Sequence, residues 1–180
     1  MKYILAAMLM AASVSQANAI ELIIGEKNVE PGIMFIFEGA IKDDVMPASM
    51  HLAEADTDVH LEARVNWAEE GTPKGTPAGG FVPYLHITGK VVNQKTGKVA
   101  YVDLLPHINL VDNFHYARNM ALPGERDELY DVTFTITPPA ATELSLHHDW
   151  QHGYGKALME PQTLTFKGID FSEIAAATRR

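Results

Sequence analysis

An all-β fold, most simply an immunoglobulin-like antiparallel β-sandwich without a disulfide, is what three features of the sequence predict. Apolar and polar residues alternate in several segments, above all in 58–67 (DVHLEARVNW). Stretches rich in Gly, Pro, Asn and Asp separate these segments every 10 to 20 residues or so, with no long amphipathic helical pattern between them. Cysteine is absent, so the sandwich must hold without the bridge that marks antibody domains, and no thiolate chemistry is available.

The chain opens with Lys2, runs apolar from Tyr3 to Val14, and reaches a small-x-small site at Ala17-Asn18-Ala19. That pattern predicts a secretory signal peptide over 1–19 and a single domain over 20–180. The apolar run is too short for the roughly 20 residues of a spanning helix, so no direct membrane insertion is expected and the periplasm is the expected location. Removing Lys2 takes the formal charge from −9 to −10. An acidic surface disfavours nucleic acid as a partner and suits a protein that handles cations.

After a short apolar piece at 21–25, Pro31-Gly32 marks a turn and 33–41 (IMFIFEGAI) reads as a strand rich in aromatic and branched residues. The next strand is 58–67, with Val59, Leu61, Ala63, Val65 and Trp67 on a core and His60, Glu62, Arg64 and Asn66 on an open face. A Gly/Pro/Thr loop fills 68–80. Strand pattern resumes at 81–92, turns at Asn93 to Lys98, returns at 99–105 and is expected to end at Pro106. Residues 107–123 read as loop with one short helical turn. Tyr130, Val132, Phe134 and Ile136 alternate with polar neighbours in a further strand, and 163–168 supplies the last, followed by a tail that is either a short helix or frayed.

Candidate metal ligands stand out against this frame. The chain has eight histidines, His51, His60, His86, His107, His115, His147, His148 and His152, near strand ends or in loops. His60 and Glu62 sit two apart on a strand, roughly 6.5 Å, and point the same way, so an imidazole and a carboxylate can lean toward one ion. Imidazole suits zinc, copper and nickel alike, and the spacing matches no helical or finger motif, so scattered surface histidines are the competing reading. His86 reads as a solvated or hydrogen-bonded sheet residue, and His51, His148 and His152 read as surface residues or as neighbours that surround the ligands without binding the metal. Met46, Met50 and Met120 offer thioethers to a soft metal, although such methionines more often fill cores.

Several motifs, taken in order, resemble the family of periplasmic iron-transport proteins: the signal peptide, the 58–63 strand (DVHLEA), 81–85 (FVPYL), the Leu104-Leu105-Pro106 turn leading to His115-Tyr116, and the run from His147 to Lys156. The resemblance implies an iron-regulated, copper-binding, immunoglobulin-like homodimer that works beside an inner-membrane iron permease. It implies metal ligation by His60 and Glu62 on the strand, His115 in a loop, and His147 before the last strand. The family's methionine follows the Leu-x-Pro turn, a place that holds His107 here, with one more residue of spacing to His115. An imidazole there makes the site harder, toward copper(II) or zinc, and Met46 or Met50 is the alternative donor. Asp112 falls where some members carry a carboxylate near a second divalent ion, with Glu21 as its companion.

Function is therefore expected to be non-enzymatic: copper and iron bound at a His/Glu site, and iron delivered to the permease. A copper-dependent oxidase of ferroxidase type is the alternative. A dismutase is disfavoured because His60-Leu61-Glu62 replaces a His-x-His pair. An adhesion or chaperone module without metal is the third reading.

Overall fold

A computed structural model describes residues 21–178. The expected signal peptide lies outside them. Eight strands run in the order β1 (Glu21–Val29), β2 (Ile33–Ala40), β3 (Val59–Trp67), β4 (His86–Asn93), β5 (Val99–Asn109), β6 (Asn113–Met120), β7 (Leu129–Thr137) and β8 (Gln162–Asp170). Short helices α1 (His148–Gly153) and α2 (Ser172–Ala176) flank β8. All paired strands are antiparallel, in the order β1-β2-β3-β6-β5-β4-β7-β8. The all-β expectation holds.

β5 joins the two halves of the sheet. Its residues Val99 to Leu104 pair with β4, and Leu105 to Asn109 pair with β6. Pro106 was expected to end this strand, yet the strand runs three residues further. Beyond Leu104 only one side of β5 is paired, so a residue without an N–H is tolerated there. Edges β1 and β8 approach where the Phe166 ring lies over Gly25, leaving no room for a Cβ. The sheet thereby curls into a near-barrel.

Inward faces follow the period-two pattern. Phe35, Phe37, Leu61, Val65, Val91, Tyr116, Phe134 and Ile136 are fully or almost fully buried together, and Phe37 stacks on Phe134 at 4.1 Å. Each such side chain contributes about 1.5–3 kcal/mol on leaving water. Tyr130 Oη donates to the Glu125 carbonyl at 2.6 Å, fastening its strand to the preceding corner. Tyr116 Oη donates to the Val82 carbonyl and accepts from Leu85 N–H, which tethers residues 82–85 as an extended arm. The strand expected from residue 81 therefore begins only at His86, after Tyr84 in the left-handed region (φ 67°).

Residues 107–123 also depart from expectation. They form the end of β5, a tight turn and β6. Asn109 Oδ1 accepts the N–H groups of Val111 and Asp112, and Asn113 takes φ 61°, so two asparagines build the hairpin turn.

Candidate metal centre

Three neighbouring strands bring the ligands together. β3 carries His60 and Glu62, β6 carries His115, and β5 carries His107 directly opposite His115 in register. Ligand nitrogens of His60, His107 and His115 all lie within 4.8 Å of one another. These rings stand on the face of the sheet away from the core. That face was expected to be open, yet His60 is 3% and Glu62 4% exposed. Covering comes from residues 43–52, which roof the histidines and leave a cavity of about 680 Å³ lined by all of them together with His51, Met46 and Met50.

Hydrogen bonds orient two of the rings. Asn119 Nδ2 donates to the carbonyls of Asp43 (2.7 Å) and Leu52 (2.9 Å), so its Oδ1 must be the acceptor facing His60 Nδ1 at 2.7 Å. Neutral His60 then carries its proton on Nδ1 and its lone pair on Nε2, which points at Glu62 Oε1, 3.6 Å away. His115 repeats the arrangement: Nδ1 faces the Asn113 carbonyl at 3.3 Å, and Nε2 lies 4.0 Å from the same Glu62 oxygen. Donating one ring nitrogen to a fixed acceptor while the other faces a shared point is how metal-bound histidines are held.

Electrostatics favours neutral His107 and His115 and a protonated Glu62 while no cation is present. Burial, reinforced by His60, His115 and His51, pushes His107 down to about 3. His115 is lowered as well, again chiefly by burial. Glu62 is pushed up to about 8 by burial first, then by Asp112, Glu38 and Glu21. Neutral imidazoles are the form that binds a metal, and a cation placed among them would draw the Glu62 proton off. His107 Nε2 is buried without a hydrogen-bond partner among the described residues. An orphaned nitrogen of this kind costs free energy unless something ligates it. The donor set therefore fits copper.

Of the ligands expected from sequence, His60, Glu62, His107 and His115 converge. His147 does not join them within one chain: it is exposed, immediately before α1, and does not line the cavity. Met46 lines the cavity mouth, 74% exposed. Glu21 begins β1 and Asp112 sits in the β5–β6 turn, where Asn109 Nδ2 donates to it at 2.8 Å. Both act on Glu62 through charge without joining the ligand cluster.

Sequence reasoning missed two features. His51, expected either on the surface or just outside the ligand set, is half-buried with its ring 5.1 Å from His107. Glu38 is 1% exposed opposite Glu62 on β2, gripped by Arg64 through two bonds of 2.6 Å. Alternation in 33–41 placed Glu38 across from the core, a signal that it faced the same side as Glu62. A helical turn also forms at 148–153, bringing the His148 and His152 rings to 3.9 Å.

Comparison with known proteins points to one family. The family model described as Fe2+ transport protein matches residues 18–172. A UPF0423 protein of Brucella abortus (strain 2308) is 30% identical over 142 residues, 77% of this chain and 76% of that one. The 34 kDa membrane antigen of Treponema pallidum is 34% identical over 122 residues, which span 64% of this chain and 59% of the antigen. Among solved structures, FetP of uropathogenic Escherichia coli strain F11, expressed in the periplasm, superposes with a TM-score of 0.69 at 29% identity over 83% of this chain and 95% of FetP. Copper-reconstituted P19 of Campylobacter jejuni gives 0.69 at 28% identity over 82% and 94%. No helix among the described residues is long and apolar enough to cross a membrane.

Proposed function

The chain belongs to the Fe2+ transport protein family, and from that premise we propose that it is a periplasmic component of an iron uptake system that binds copper and hands iron to an inner-membrane permease. The observation that carries this reading is the convergence of His60, His107 and His115, with the Nε2 atoms of His60 and His115 facing Glu62. Copper is the resident ion here, held by the three imidazoles, and the copper-reconstituted P19 of Campylobacter jejuni supports that choice of metal. Zinc fits the same nitrogen donors. Iron is the cargo. Glu62 is the hard oxygen donor that suits it, and Asp112, Glu38 and Glu21 concentrate negative charge on that side.

In this reading the working unit is a homodimer. Exposed Ile108, Leu110, Val111 and Phe114 form an apolar hairpin beside the cavity, the kind of patch that a second copy covers. His147 then serves as a ligand by reaching the site of the other copy. The β-sheet contributes geometry and burial, with no catalytic group assigned.

Copper(II) titration of the mature protein tests the proposal. His60→Ala and His115→Ala should each abolish most tight binding, and retention of wild-type affinity in both would overturn the assignment. Glu62→Ala should keep copper yet lose iron-dependent growth, which separates the roles of the two ions.

A further inference from the structure

The roof over the histidines carries donors that the copper site described above does not use. His51 Nδ1 is buried and has no hydrogen-bond partner among the described residues, and the same holds for His107 Nε2 on the ring 5.1 Å away. His107 in turn stands 5.3 Å from His60 and 5.8 Å from His115, ring centre to ring centre. It is thus in reach of two groups of nitrogens. Met46 and Met50, 74% and 50% exposed, line the same cavity at its mouth. Methionines of that exposure fill no core, unlike Met120, which is 5% exposed.

Donor character changes along this line. Thioethers and an imidazole at the mouth are soft ligands suited to copper(I), whereas imidazoles backed by a carboxylate on the floor suit a harder ion. We propose that His51, His107 and the thioethers of Met46 and Met50 form a second metal position that takes up a cuprous ion at the mouth of the cavity and passes it inward through His107. The passage is ligand exchange and moves no electron. His107 belongs to both positions, and one neutral imidazole offers a single lone pair, so the two positions fill alternately. The proposal rests on the copper reading only for the destination of the ion.

The test is an anaerobic titration of copper(I) into the mature protein against a chromophoric cuprous chelator, with X-ray absorption at the copper edge on samples loaded below one equivalent. Partners that merely orient a metal ligand are worth 10- to 100-fold in affinity, so losing a donor should weaken copper(I) by about tenfold or more in His51→Ala and in the Met46→Leu/Met50→Leu pair. Sulfur should scatter at the wild-type copper(I) and vanish in the methionine pair. Copper(II) binding and its visible spectrum should be unaltered in both variants, which also shows that they fold. Unchanged copper(I) affinity in both variants, or no sulfur around copper in the wild type, overturns the proposal. Failure of the wild type to bind copper(II) would instead sink the reading of the inner site and leave the copper(I) comparison still decisive.

Discussion

At the scale of single residues, Asn119 does two jobs with one amide. Its oxygen fixes the tautomer of His60 while its nitrogen holds two carbonyls of the roof. Asn119→Leu should therefore lower copper(II) affinity by about 10- to 100-fold without touching a ligand, measured by competition titration. Glu62 makes a second prediction. Unfolded, its carboxyl gives up its proton near 4.5, whereas in the metal-free fold it keeps it until about 8, so stability falls as pH rises between these values. His107, lowered from 6.5 to about 3, acts oppositely, adding stability above 6.5 that is lost as pH falls toward 3. His115 shares that direction. Above pH 6.5 the His107 contribution is complete and the Glu62 effect continues. Denaturant melts of metal-free protein should show stability dropping from there toward pH 8, by up to about 1.4 kcal/mol per pH unit. Glu62→Gln should flatten that slope.

Among the elements, β5 decides where the site lies, because its change of partner at Leu104 and Leu105 sets His107 beside His115. The period-two reading placed β3 and β7 correctly and put His60 and Glu62 on one face, since alternation is a local property of a strand. It could not place the roof. The hydrogen bond from Asn119 to Asp43 joins positions 76 apart in sequence, and nothing in the local pattern of 43–52 announces it. For the same reason the sequence left His51 open between the surface and the surroundings of the ligands. The β5–β6 hairpin was more legible than it was read: Asn109, Asp112 and Asn113 are turn residues, and an apolar pair at the tip disguised them. Where β1 meets β8, Gly25→Ala should cost about 1–3 kcal/mol in chemical denaturation, because the Phe166 ring must leave its seat. Gly97→Ala in an open turn tests backbone strain alone by comparison, having φ 71° and no neighbour within 4 Å of its Cβ.

For the whole molecule, the apolar hairpin and the exposed His147 bear on assembly. On the proposed homodimer, Leu110→Asp with Val111→Asp should leave only monomers in sedimentation velocity and weaken copper(II), and a wild type that sediments as a monomer would overturn that assembly. Copper at a hundredfold excess over its dissociation constant should raise native-state stability by about 2.7 kcal/mol, and equal melting with and without the ion would speak for an adhesion module. The missing cysteine narrowed the ligands to His, Met, Asp and Glu before any geometry was known, and the sheet then chose among them. The double duty of Asn119 has an outcome for unloading as well. A receiving protein that grips the segment over the imidazoles and draws it aside would take both carbonyls from the Asn119 amide and leave its oxygen free to turn from His60, so lifting the lid also slackens the cation's hold, and coupling of this sort is reciprocal.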